Sequence, residues 1–245
     1  HLSSKYNIGF ETLPCFCYKE SILDNERMKR MKKIAVLLSG CGVMDGSEIH
    51  EAVTAMLAIE QQGAAYHCFA PEGNQAVVMN HVLKRPMDEI RRMPAESARI
   101  ARGDISVLSS YRAADYDGLL LPGGMGAILN LCDFAHQGPT CSVHPDVERA
   151  LIETHQAGKP IAALCIAPVV VARVLMGVTV TIGNDAETAM AIKQMGGAHQ
   201  ICNAAEVCVD TKNKIVSTPC YMLDKSLKDV AISTANAVRD LLKLA

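Results

Sequence analysis

From Lys32 onward, short apolar runs alternate with stretches of helical period. Ile34-Ala-Val-Leu-Leu38 has the unbroken hydrophobicity of a strand buried on both faces. Ser39-Gly-Cys-Gly42 ends it, and Ser47 is placed to cap a helix beginning at Glu48. In that helix Ile49, Val53, Met56 and Ile59 recur at helical spacing, and Gly63 closes it. Residues 65–70 read as a second strand, ended by Pro71-Glu-Gly-Asn74. The polar stretch 75–104, with Pro86 and Pro94, reads as an irregular connection holding one short helix near Ala95–Arg102. Strands follow at 105–108 and 117–121, the second terminated by Pro122-Gly-Gly-Met-Gly126, and residues 127–143 read as a loop or insertion. His144-Pro-Asp146 opens a helix running to His155. Pro160 to Leu164 is a buried strand, Pro168 to Met176 a helix, Val178 to Ile182 a strand and Glu187 to Met195 a helix. Glu206–Val209 and Lys214–Ser217 flank the turn residues Asp210-Thr-Lys-Asn213, and a last amphipathic helix carries Leu227, Val230, Val238 and Leu241.

This alternation predicts an α/β fold, a three-layer sandwich with a mostly parallel sheet and helices on both faces. In such sheets ligands bind beyond the carboxyl ends of the strands. Residues 1–30 mix both charge signs without sustained period, so they are expected to be an N-terminal extension, disordered or a non-native start, with Met31 opening a single domain over 31–245. Glu11, Glu20, Asp24 and Glu26 argue against a mitochondrial transit peptide, a class poor in acids.

Composition narrows the function classes. A net charge of −2 with no basic block argues against nucleic acid or an anionic membrane as a partner. No apolar run reaches the roughly 18 residues of a membrane span. The ten cysteines include Cys68, Cys165 and Cys208 inside apolar runs, which fits reduced thiols and a cytoplasmic location better than a disulfide framework. Cys15-Phe-Cys17 is the one close pair, and the spacing of a zinc site is missing, so no metal is expected.

The chemistry concentrates at Ile161-Ala-Ala-Leu-Cys165-Ile-Ala-Pro168. A strand that turns directly into a helix holds the turning residue in a strained conformation at the sheet's carboxyl edge, as in a nucleophile elbow. The helix N-terminus would favour a thiolate on Cys165. The alternative is that Cys165 is one more small buried hydrophobe. The N–H groups of Ile166 and of Gly123 or Gly124 are candidate oxyanion donors, since glycine lets backbone approach a substrate closely. Glu48 is a candidate proton-transfer partner, or else an ordinary first-turn acid.

The sequence resembles the ElbB group of glutamine-amidotransferase-like proteins within the DJ/PfpI superfamily. The resemblance rests on Lys33-Ile-Ala-Val-Leu-Leu-Ser-Gly-Cys-Gly42, Asp45-Gly-Ser-Glu-Ile-His-Glu51, Leu121-Pro-Gly-Gly124, Asn130-Leu-Cys-Asp-Phe134, Ala163-Leu-Cys-Ile-Ala-Pro168 and Thr218-Pro-Cys-Tyr-Met222. It runs from about residue 32 to the C-terminus and leaves the first 30 residues without counterpart. It implies a flavodoxin-like sandwich, a glutamate hydrogen-bonded to the elbow cysteine that maps onto Glu48 and Cys165, and oxyanion donors at Gly124 and Ile166. It further implies a cofactor-free glyoxalase turning a small dicarbonyl, glyoxal, into glycolate, an activity that can report on protein deglycation, and a homodimer.

One departure bears on mechanism. Many relatives carry a triad histidine a short way after the nucleophile, where this chain reads Thr181-Ile-Gly-Asn-Asp185. His199 lies in a separate element, and His50, about 200° around the helix from Glu48, is expected to point elsewhere. A Cys165–Glu48 dyad is what remains. Two other classes stay open: a redox or stress sensor built on the same thiol, and a non-catalytic accessory subunit with an amidotransferase-like surface.

Overall fold

The computed structural model describes residues 30–223 and 225–245. The extension expected over residues 1–30 lies, except for Arg30, outside the described residues. In chain order the elements open with β1 (Lys33–Leu37), α1 (Ile49–Gln61) and β2 (Ala65–Ala70). A small hairpin of β3 (Met79–Asn80) and β4 (Arg85–Pro86) follows, then α2 (Met93–Ile100), β5 (Ile105–Val107) and β6 (Gly118–Leu121). Next come α3 (Gly126–Leu129), α4 (Phe134–Gln137), α5 (Pro145–Gln156), β7 (Ile161–Leu164) and α6 (Pro168–Val174). The chain finishes with β8 (Thr179–Val180), α7 (Ala186–Gln194), β9 (Ala198–His199), β10 (Cys208–Asp210), β11 (Ile215–Thr218) and α8 (Leu227–Leu244).

Seven strands form one sheet in the order β10-β11-β7-β6-β1-β2-β5. Every pairing is parallel except β10 with β11. β1, β6, β7 and β11 are buried along almost their whole length because helices cover both faces. α1 packs against α8, and α5 against α6. The chain passes from β1 outward to β2 and β5, then returns across β1 to β6. Beyond the carboxyl ends of β1 and β6 this reversal leaves the crevice where ligands bind in open α/β sheets. The α/β flavodoxin-like expectation is met.

The departures are local. The first helix is capped by Glu48, whose side chain accepts from Glu51 N–H, while Ser47 Oγ accepts from Ser39 N–H instead. Ile49 and Val53, expected in the core, are 42% and 45% exposed. The buried face is Glu51, Ala52, Ala55, Met56, Ala58 and Ile59. Of 178–182 only Thr179–Val180 is a strand, and it pairs with β9 outside the central sheet. The expected loop at 127–143 winds into α3, α4 and a 3₁₀ turn at Gly138–Thr140. α2 starts two residues earlier than expected because Pro94 tolerates the first helical turn.

Candidate active site

β7 ends at Leu164 and α6 begins at Pro168, leaving three residues to reverse the chain. Cys165 takes the strain with φ +58, left-handed backbone that a residue with a Cβ adopts only when its surroundings impose it. The surroundings here are the paired strands, and Cys165 N–H donates to Thr218 O at 2.9 Å, continuing the β7–β11 ladder. Pro168 suits the first helical position, where an N–H would lack a partner. The thiol is thereby held at the sheet's carboxyl edge, 7% exposed.

The Pro-Gly-Gly turn after β6 closes over it. The backbone N–H groups of Gly124 and Ile166 favour the charged form of the thiol. Gly124 has φ +91. A Cβ on Gly123 would collide with the Cβ of Cys165 and come within 2.7 Å of Glu51 Oε2, so only glycine lets the two segments meet. Gly123 lies against Cys165, but its N–H is aimed at Glu51 rather than at the thiol. Its N–H donates to Glu51 Oε2 at 2.9 Å, and its carbonyl accepts from Glu48 N–H at 2.9 Å.

The glutamate against the thiol is Glu51, which corrects the expectation placed on Glu48. The Cys165 thiol hydrogen-bonds the Glu51 carboxylate, which also accepts from Gly123 N–H and from Tyr221 N–H at 3.3 Å. Glu48 is the N-cap, and its Oε2 is turned onto Glu51 N–H at 2.6 Å. A cap side chain folds back over the first turn, whereas three residues later the helix has nearly completed a revolution and points inward. Glu51 is fully buried, on the stripe that continues into Ala55 and Ala58.

Burial pushes Glu51 up to about 7, the Glu48 carboxylate adds to that, and the N–H donors from Tyr221 and Gly123 oppose it. Burial and then the Glu51 carboxylate push Cys165 well above the ordinary thiol range, against the N–H groups of Gly124 and Ile166. The resting thiolate expected from the helix N-terminus is therefore corrected. α6 is seven residues long and the thiol is enclosed beside a carboxyl group, so burial and that neighbour both disfavour its charged form.

Three further residues gather here. Cys220, also with left-handed backbone at φ +45, is buried where the Cys165 N–H reaches its thiol. Tyr221 hydrogen-bonds His50 Nδ1 through its hydroxyl at 2.8 Å, and His50 Nδ1 stands 3.9 Å from Glu48 Oε1. His50, expected to point elsewhere, thus stands over the cap of the same helix, with a half-exposed side chain. His199, on β9, accepts from Ile182 N–H at 3.3 Å in a separate element. No group of three or more His, Cys, Asp or Glu is gathered for a metal among the described residues. Sequence reasoning missed Glu51 and Cys220 as site residues, although both stand inside stretches that carry the family resemblance, Asp45–Glu51 and Thr218–Met222.

No family model matches the chain. A human protein called glutamine amidotransferase-like class 1 domain-containing protein 3, mitochondrial, is 44% identical over 222 residues, spanning 86% of this chain and 83% of its own. A rat ES1 protein homolog, also called mitochondrial, is 43% identical over 222 residues, spanning 86% of this chain and 84% of its own. Among solved structures, an isoprenoid biosynthesis protein with an amidotransferase-like domain from Ehrlichia chaffeensis superposes with a TM-score of 0.82. It has 36% identity, over 87% of this chain and all of that one. Glyoxalase III from Candida albicans superposes at TM-score 0.57 with 13% identity, over 87% of this chain and 97% of that one, a likeness of fold alone. The mitochondrial names of the human and rat proteins, shared by a zebrafish ES1 protein, overturn the expected cytoplasmic location. Reduced buried thiols do not distinguish the cytoplasm from another reducing compartment, so cysteine usage could not carry that inference.

Proposed function

The chain belongs to the ES1 group of glutamine amidotransferase-like class 1 proteins, and from that premise we propose that it is a cofactor-free glyoxalase acting on a small dicarbonyl. The observation that carries the reading is the enclosed Cys165–Glu51 pair facing two backbone N–H donors. A nucleophile, a base whose value of about 7 suits neutral pH, and oxyanion donors are what thiol addition to an aldehyde requires. The small exposed area at Cys165 favours a substrate of glyoxal's size over a bulky one.

Glu51 takes the Cys165 proton as the sulfur adds to one carbonyl carbon of glyoxal. The new alkoxide is held by Gly124 and Ile166 N–H and collects a proton to give the hemithioacetal. Glu51, again a carboxylate, then removes the C–H proton of the attacked carbon, and a proton is delivered to the neighbouring carbon through the enediol. The first carbon is oxidised to a thioester and the second reduced to an alcohol. Water cleaves the C–S bond, releasing glycolate and restoring the thiol, so one glyoxal and one water give one glycolate. Deglycation of protein-bound adducts would use the same steps. Glu48 acts as cap and as the neighbouring charge that keeps Glu51 basic. The homodimer implied by the family resemblance forms part of this proposal, and its mass in solution tests it.

Glycolate formation from glyoxal by metal-free protein tests the reading. Wild type should turn over, Cys165→Ala should be inactive, and Glu51→Gln should lose at least ~100-fold in kcat/KM. A wild type that forms no glycolate, or a Glu51→Gln variant as fast as wild type, overturns it.

A further inference from the structure

Cys220 has no part in that scheme, yet it is built against its centre. β7 and β11 run parallel with Leu164 opposite Thr218, so the two chains leave the sheet side by side. Cys165 lies one residue past its pairing position and Cys220 two, and both leave through left-handed backbone. Neighbouring strands are about 4.8 Å apart and a disulfide spans Cα separations of about 4.4–6.8 Å, so adjacent strand ends match its reach. The Cys165 N–H approaches the Cys220 thiol, and Glu51 joins the two sides by accepting from the Cys165 thiol and from the N–H of Tyr221, the residue after Cys220. Both cysteines are free.

We infer that Cys165 and Cys220 are a dithiol pair that a small hydroperoxide converts into an intrachain disulfide, Cys165 taking the oxygen and Cys220 resolving it. Glu51 accepts the Cys165 proton while the sulfur attacks the terminal peroxide oxygen. The O–O bond breaks, and the departing alkoxide or hydroxide takes up that proton. Cys165 is now a sulfenic acid. The Cys220 sulfur attacks the Cys165 sulfur and gives up its proton by way of Glu51, and the S–O bond breaks as hydroxide leaves and becomes water. Two thiols lose two electrons and the peroxide gains them. The pair protects the nucleophile from sulfinic acid, an oxidation that thiols do not reverse. This inference needs only an attackable Cys165 thiol and stands apart from the glyoxalase reading.

The test treats the full chain with hydrogen peroxide at neutral pH, blocks remaining thiols with N-ethylmaleimide and maps peptides without reductant. Wild type should yield a Cys165–Cys220 linked peptide that dithiothreitol separates. In Cys220→Ser and Cys220→Ala, Cys165 should instead accumulate sulfinic acid, at least ~10-fold above wild type, beyond rescue by dithiothreitol. Wild type that passes to Cys165 sulfinic acid without the link, joins Cys165 to another cysteine, or leaves Cys165 unmodified overturns the inference. The wild-type map decides even if both variants fail to fold. Glycolate formation is read on untreated, reduced protein of the same preparation, because the disulfide occupies the nucleophile: a link after peroxide in protein whose reduced form does not turn over sinks the glyoxalase reading alone, and turnover of the reduced form with no link after peroxide sinks the dithiol alone.

Discussion

Glu48 and Glu51 lie in the same opening turn, and their side chains do different work. Glu48 Oε2 accepts Glu51 N–H, a cap whose loss costs about 1 kcal/mol of stability. Glu51 meets sulfur and two backbone donors where it is fully buried. Glu48→Gln should keep glycolate formation within ~10-fold of wild type while Glu51→Gln loses at least ~100-fold, a difference steady-state kinetics reads directly. The base also fixes the pH response. With Glu51 raised to about 7, it gains a proton as pH falls below neutral and can no longer take one from Cys165. The kcat/KM of wild type should therefore rise with pH through an apparent value near 7, one that belongs to the coupled pair, and Glu51→Gln should lack that limb.

Among the elements, the strands were the most readable because strands buried on both faces are unbroken apolar runs, as in Ile34–Leu38 and Ile161–Leu164. The elbow was readable too, since three residues between strand and helix leave no relaxed path. α1 was not. Of Ile49, Val53, Met56 and Ile59 only the last two are buried, and the face is completed by alanines and by Glu51, which meets the glycine turn after β6. Hydrophobic spacing records side-chain size, whereas that contact is set by backbone approach. Cys220 escaped because its role depends on the register of β11 against β7, which no local pattern encodes. Gly123→Ala tests the close approach. The added methyl meets Cys165 and Glu51, so it should lower stability by about 1–3 kcal/mol in urea unfolding and reduce glycolate formation. Ser226→Ala provides a contrast at α8. Removing that reciprocal cap should cost about 1 kcal/mol and leave turnover unchanged.

Across the whole molecule, the buried carboxylate links the proposed chemistry to stability. A group whose folded value of about 7 exceeds its ordinary 4.5 binds more protons folded than unfolded between those two values, so its contribution to stability falls as pH rises through that window. The Glu51→Gln variant has no such proton. Wild type should lose on the order of 3 kcal/mol relative to Glu51→Gln between about pH 4 and pH 8, measured by denaturant unfolding at each pH. A flat difference would place the Glu51 titration elsewhere.

The candidate site is drawn from segments at 48–51, 123–124, 165–166 and 218–221, joined by pairings distant in sequence. It has no precursor in any one hairpin or helix, so it comes into being only when β1, β6, β7 and β11 have docked, among the slower events a folding chain performs. Before that moment the ten cysteines are nearly interchangeable thiols, open to any electrophile the compartment holds. The aldehydes this protein is proposed to consume are such electrophiles. A nascent chain is thus exposed to its own substrate at every cysteine, and its survival depends on completing the sheet before adducts form.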